Sequence, residues 1–524
     1  MKRKTLKERF KAFLQDIKQN PDALKSAILS MFVMGLGQFR NKQKSKAFIL
    51  LGVLFLIIAV EIFTGGYIYA LTGEMNQFPG VPGEMFPKIN FIRDYGGLFS
   101  KGIWGLITLG QIPIMASYRG NVTEAFNKVL TWLSADNSMA LLGQGLIALV
   151  IISIFIGIYI FNIHDAYTTR KKFNQGEAIE TGKQYVKRLW TDMFPYIILL
   201  PTLVMVMFLI LIPFMFSFLL AFTNYTYKNA SLLYTVKWVG LTNFTRIVAD
   251  AGWAGIFLDV ILWTLIFAIS ASVTTYFLGM LQAIVIESKY VKFKKFFRTI
   301  LIVPWAVPGM VSLMVFRQAF QQDGLINKIL LSTNLMPTFS NFFHAIGLTS
   351  SAEGIISWLT VYGNAGLTKL VIVGVNLWLG APYFMMLITG VLTTLPKDLY
   401  EAAAIDGATK WQSFKRITLP LILRATLPAI VMTFTFNFNN FGAIYFLTGG
   451  GPGRPNDLVP QSMLILKGVP GATDILISWI YKLSFTANEQ LYNMAAVYSI
   501  MIFLFIGSIS VFNLARAKTL WEDD

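Results

Sequence analysis

Cysteine is missing from this chain of 524 residues, and its absence excludes disulfides, thiolate metal sites and a cysteine nucleophile. Histidine occurs only twice, and Asp plus Glu number 27. A charged fraction of 14% leaves little with which to cover a large soluble surface. No G-x-x-x-x-G-K-[ST] stretch occurs, so the chain lacks the glycine-rich loop and lysine that cradle nucleotide phosphates. Internal repeats and low-complexity tracts are also lacking.

What is abundant is apolar: 55% of the residues are hydrophobic, and the mean hydropathy is +0.59. Runs long enough to cross a hydrocarbon layer of about 30 Å lie near 47–71, 140–163, 194–223, 256–286, 299–320, 369–394, 424–447 and 493–515. Eight such runs predict an all-α polytopic membrane protein. The run at 27–39 is too short to span and predicts an interfacial or re-entrant helix, while 102–115 is broken by Pro113 and is placed outside. The net charge of +17 does not point to nucleic acid, because no basic-aromatic module interrupts the apolar pattern. It fits instead the excess of Lys and Arg that cytoplasmic loops collect. With both termini in the cytosol, the inside segments 1–46, 164–193, 287–298, 395–424 and 516–524 hold about 30 of the 44 basic residues. The opposite orientation would place RKKF, KFKKFFR and FKRI outside.

The regions that follow are a cytosolic basic segment with an interfacial helix (1–46), a two-span region with an outer loop (47–163), a charged cytosolic linker (164–192) and a six-span core (193–524). The basic N-terminus precedes an apolar run without a small-residue cleavage site, so it is expected to be retained in the cytosol as an amphipathic segment. The outer loops 72–139, 224–255, 321–368 and 448–492 lack the length and alternation of a separate large domain.

Between two apolar runs lies EAAAIDGATKWQSFKRITLP, residues 401–420. Glu401 to Ala404 favour a helix, Gly407 interrupts it, and Pro420 fits the first turn of the next span. Ala402, Ala403, Gly407 and Ala408 let another surface approach closely, and Glu401 and Asp406 offer carboxylates to it. On these grounds alone a solvated connector fits as well. Two spans also carry polar and aromatic stripes. Asn376, Leu379, Gly380 and Tyr383 fall at i, i+3, i+4 and i+7, and Thr433, Phe436, Asn437 and Asn440 repeat the spacing. Amides, a phenol and ring faces suit a neutral polyhydroxyl ligand in a shared cavity, with Gly380 leaving room. The same residue types also bond neighbouring membrane helices, and spacing does not separate the two readings.

Glu401, Ala402, Ala403, Gly407, Ile417, Leu419 and Pro420 fit without a gap the cytoplasmic signature loop Glu-Ala-Ala, three residues, Gly, nine residues, Ile-x-Leu-Pro. In this the chain resembles the permease subunits of bacterial ABC importers. GVNLWLGAPYFMMLITG at 374–390, FNFNNF at 436–441 and LTGGGPG at 447–453 look like the larger permease of the maltose/maltodextrin importers, and the resemblance covers about 190–520. It implies a type I ABC importer transmembrane domain in which 401–420 is a coupling helix seated in a separate ATPase subunit. ATP and Mg would be bound by that ATPase dimer, with no cofactor on this chain. A second permease subunit, membrane lipids and an extracellular sugar-binding protein complete the implied partners, and the two stripes become the sugar site.

The chain departs from the best-known maltose permeases, which carry a large outer domain between the first two core spans, where here there is only 224–255. A membrane-tethered binding protein, as in a cell with a single membrane, fits that short loop. An ion-gradient-driven secondary transporter is the rival reading. Such transporters depend on ionisable residues within the membrane, and the candidates here are Glu61, Asp259, His164 and His344, at span ends, a boundary and a loop. A membrane-anchored scaffold would need no paired stripes.

Overall fold

The computed structural model describes residues 15–65, 67–77, 85–93, 97–109, 138–177, 183–226, 236–288, 290–349, 354–359, 365–454, 459, 468–487 and 490–522. Among them, seven helices are long and apolar enough to cross a membrane, and a pair of shorter helices bent sharply against each other makes eight if the pair is counted as one span. The chain divides into two compact units, Met1–Gly240 and Leu241–Asp524.

The first unit contains α1 (Pro21–Phe32), α2 (Leu36–Arg40), α3 (Lys44–Thr64), β1 (Tyr67–Gln77), β2 (Met85–Arg93), α4 (Leu98–Ile107) and α5 (Ser138–Asn174). It ends in α6 (Lys183–Val206), continued through a π-helical turn at Met207–Leu211 into Ile212–Leu220. The apolar run expected at 47–71 stops as a helix at Thr64, where Gly65 takes extended backbone. The chain turns there into an antiparallel hairpin pairing Tyr67 with Arg93 and Gln77 with Met85. Among the described residues, that hairpin is an addition to an otherwise helical architecture. Glu61 ties the far end of the excursion back: its carboxylate accepts from the backbone N–H groups of Gly97 (3.1 Å) and Phe99 (2.8 Å), at the start of α4.

The short run at 27–39 becomes the end of α1 and most of α2, folded against α5. Its inner side buries Ala27 and Met34 beside a set of bonded polar groups. Ser30 donates to Gln38 (2.9 Å), Gln38 to Asp165 (3.1 Å) and to the Asn162 carbonyl (2.9 Å), and Asn41 to the Ala166 carbonyl (2.8 Å). Lys46 and Asp165 form an ion pair at 2.5 Å, both side chains mostly buried. Nearer the end of α5, the Arg170 guanidinium beside Asp22 holds that carboxyl below the usual carboxylate range. The outer side presents Met31 and Phe32. Removing one partner of a buried ion pair strands the other charge, at a cost of about 3–5 kcal/mol. Lys46→Met should therefore lower the melting temperature of the purified protein clearly, and Lys46→Met with Asp165→Leu should recover much of the loss. Equal melting of Lys46→Met and wild type would show that this pair does not hold the unit together.

The second unit runs α7 (Thr242–Ala249), α8 (Ala251–Glu287), α9 (Lys294–Ala306), α10 (Gly309–Ala319), α11 (Leu325–Ser332), α12 (Met336–Ala345) and α13 (Gly366–Thr394). It continues with α14 (Asp398–Ile405), α15 (Lys410–Ser413), α16 (Leu419–Phe438), α17 (Phe441–Leu447), α18 (Leu476–Tyr481) and α19 (Tyr492–Glu522). The apolar run expected at 299–320 is α9 and α10, bent by 88°. Val307, before Pro308, takes extended backbone, since the residue preceding a proline is disfavoured in the α region. The run expected at 424–447 likewise breaks, between α16 and α17. The long helices α8 and α13 pack along one another. A Cβ on Gly279 would meet Phe384 at 2.5 Å, and one on Gly380 would meet Thr275 at 2.8 Å, so the two backbones approach as only glycine permits.

Candidate functional site

All eight residues of the two stripes line one cavity of about 480 Å³ in the second unit. Asn376 to Tyr383 fall in the central turns of α13, and Thr433 to Asn437 come from α16. Asn440 arrives by a different route from the one its spacing predicts. The helix ends at Phe438, and Asn440 is the N-cap of α17, its Oδ1 accepting from the Ala443 N–H at 3.1 Å. Asparagine side chains compete for backbone bonds in this way, which favours caps over helix interiors. Irregular backbone at membrane depth is tolerated where it lines a cavity, and this break does so.

The three asparagines form a relay. Asn440 Nδ2 donates to Asn376 Oδ1 (3.1 Å), Asn376 Nδ2 to Asn437 Oδ1 (3.3 Å), and Asn437 Nδ2 to Ser272 Oγ on α8 (3.0 Å). Asn376 and Asn437 are buried. The helix-bonding function that such residues serve is therefore present. It does not exhaust them: a primary amide has two donor hydrogens and two acceptor lone pairs, so each amide in the relay keeps capacity for a ligand. Thr433 spends its hydroxyl proton on the Ala429 carbonyl (2.9 Å) and retains an acceptor.

Aromatic walls complete the site. Tyr383 lies 6.4 Å from Trp305 and 5.1 Å from Phe384, ring centre to ring centre. Phe436 is largely exposed at the cavity. At Gly380 the place of a side chain is filled by Thr275, so this glycine serves the close packing of α8 on α13, and Leu379 supplies apolar wall. Trp305, Thr275, Met432 and Ser272 were not among the expected residues. Trp305 had a signal in the sequence, because it sits between Pro304 and Pro308, and paired prolines in an apolar run mark a broken helix. Ser272 and Thr275 had none, since only the pairing of α8 with α13 and α16 brings them here. None of the lining side chains carries a charge. The arrangement can bond hydroxyls and stack flat rings, but offers nothing to neutralise an ion.

The residues of 401–420 sit beyond the end of α13, away from the cavity. α14 carries Glu401, Ala402 and Ala403, Asp406 closes it, and Gly407 turns the chain at φ +74°. Thr409 then opens α15 with a capping box to Gln412. Tyr400 and Thr418 hydroxyls, 3.0 Å apart, fasten this turn to the base of the next span. Glu401, Ala402, Asp406 and Gly407 are exposed, while Ala403 and Ala408 are half-buried. Ile405 at 87% and Trp411 at 68% are more exposed still, and sequence reasoning passed over both.

The sequence matches the family described as binding-protein-dependent transport system inner membrane component over residues 276–518, which contain the turn and all of the cavity lining except Thr275. It is 34% identical to the maltodextrin transport system permease protein MalC of Streptococcus pneumoniae, over 97% of this chain and 98% of that one. It is 32% identical to the galactooligosaccharides transport system permease protein GanP of Bacillus subtilis, over 95% of this chain and 98% of that one. With the maltose/maltodextrin transport system permease protein MalF of Salmonella typhimurium the identity is 35%, but over only 55% of this chain and 51% of that protein. Agreement end to end with two permeases, together with the match across the cavity and the turn, makes this chain a member of the family of inner membrane components of binding-protein-dependent transport systems.

Proposed function

We propose that this permease forms part of the translocation path of an ATP-driven importer for maltodextrin-like oligosaccharides. The observation that carries the reading is the uncharged amide-and-ring cavity halfway along α13, a helix whose far end leads directly into the exposed turn at 398–413. Asn376, Leu379, Gly380, Tyr383, Thr433, Phe436, Asn437 and Asn440 would hold the sugar. Glu401, Ala402, Ala403, Asp406, Gly407 and Ala408 would seat against an ATPase subunit, with Ile405 and Trp411 adding apolar anchors. ATP and Mg are then bound by the ATPase dimer, and closure of that dimer is transmitted through the turn to α13 and α16. A second permease, a membrane-tethered extracellular sugar-binding protein and the lipid bilayer complete the assembly.

Both termini would lie in the cytosol: an even count of eight spans among the described residues, with the bent pair taken as one, and the excess of basic residues on that face support this orientation. The regional division proposed with this topology is 1–46, 47–163, 164–192 and 193–524. The carboxylates that an ion-gradient mechanism would use are committed elsewhere: Glu61 to the start of α4, and Asp259 to Arg454.

Two measurements test this. In the cysteine-free chain, Ser413→Cys should react only with reagents that reach the cytosol and Ser332→Cys only with reagents added outside; reversed labelling overturns the orientation. The chain should also co-purify with an ATPase, and the reconstituted complex should hydrolyse ATP faster with binding protein and maltodextrin. GanP is a galactooligosaccharide permease, so stimulation by galactooligosaccharide alone would move the substrate and leave the mechanism. Stimulation by neither sugar would sink the reading.

A further inference from the structure

A second cavity lies in the same unit, at the end of α13 opposite the coupling turn. It measures about 360 Å³ and is lined by Arg317, Phe320, Gln321, Gln322, Asp323 and Trp358, among others. Two helices serve both cavities. Leu313 and Ala443 line the central one, and four residues further along the same helices Arg317 and Leu447 line this one. Four residues of α-helix advance about 6 Å. The two cavities are thus stacked, separated by one helical turn that Leu313, Phe316 and Ile444 pack.

The outer cavity is preformed by fixed bonds. Trp358 Nε1 donates to Asn327 Oδ1 (2.8 Å), and Asn327 Nδ2 donates to the carbonyls of Gln322 (3.0 Å) and Ile356 (2.9 Å). Thr368 at the start of α13 donates to the Trp358 carbonyl (3.0 Å). The loops on both sides are locked together, with the Phe320 and Trp358 rings 5.5 Å apart as one wall. Around that wall Arg317, Gln321, Gln322 and Asp323 are exposed. Planar donors and acceptors rimming a ring-lined hollow are again the chemistry that holds hydroxylated rings.

The geometry points to a second saccharide subsite here, occupied by the trailing units of a sugar chain whose leading units enter the central cavity once the turn between them parts. This rests on the transport reading above. The test is uptake of maltotriose and maltoheptaose by cells expressing the full importer with its binding protein. Arg317→Ala combined with Gln321→Ala removes two exposed rim groups, and Phe320→Leu keeps apolar volume while removing the ring. Each should lower maltoheptaose uptake about fivefold or more, the effect of roughly one lost hydrogen bond for the rim pair and one lost ring contact for Phe320→Leu, and leave maltotriose within about twofold. Equal losses for both sugars would make the rim a docking surface for the binding protein and overturn the subsite. Unchanged uptake of both would also overturn it. Wild-type cells taking up neither sugar would fail the transport reading itself, and the subsite with it.

Discussion

Asn437→Ala should cut oligosaccharide uptake by the assembled importer about five- to 150-fold and lower its melting temperature as well. Asn437 is 2% exposed and is the last asparagine of the relay, accepting from Asn376 and donating to Ser272. Alanine leaves the Asn376 amide, itself buried, without its acceptor, and a stranded buried donor costs about 1–3 kcal/mol. The loss falls both on helix packing and on ligand binding, so this variant alone does not separate them. Tyr383→Phe does. It keeps the ring contacts to Trp305 and Phe384 and removes only the hydroxyl of a residue that lines the cavity, so uptake should fall severalfold with melting unchanged. Asn376→Ala and Asn440→Ala should follow Asn437→Ala, with Asn440→Ala also losing the cap of α17. Wild-type uptake by Tyr383→Phe, with Asn-to-Ala losses that track melting alone, would mean that the relay only bonds helices.

Gly407→Val should abolish uptake while the spans remain inserted. At φ +74° the backbone sits where a β-branched side chain is strained by about 1–2 kcal/mol or more, and the turn it makes sets the direction of α14 against α15. No neighbouring atom lies within 4 Å of a Cβ placed there, so the defect would come from backbone strain and from whatever docks on the turn, not from internal crowding. Gly407→Asn, which tolerates the left-handed region, should keep much more activity. Glu401→Lys reverses an exposed charge without touching the backbone and should weaken recovery of the ATPase on co-purification. Should Gly407→Val transport and stimulate ATP hydrolysis as wild type does, the turn is a connector and nothing docks there.

The helical spans were legible because hydrocarbon admits only segments of about 20 apolar residues whose backbone bonds are internal. The stripes were legible because residues at i, i+3, i+4 and i+7 share a helix face whatever the helix packs against. The sequence by itself therefore determined the spans, the signature turn and which side chains could point together from α13 and from α16. It did not determine where those helices break. Val307–Pro308 bends a span by 88° and brings Trp305 to the cavity, while Asn440 reaches it as a cap rather than as part of a helix face. Nor could it supply Ser272 and Thr275, which enter only because Gly279 and Gly380 let α8 lie close against α13. Which helix meets which is decided by side-chain packing between residues 61 to 165 positions apart, and no periodicity within one segment records it. For that reason the tertiary structure alone decided that two stripes make one cavity, and that a second cavity lies one turn beyond it.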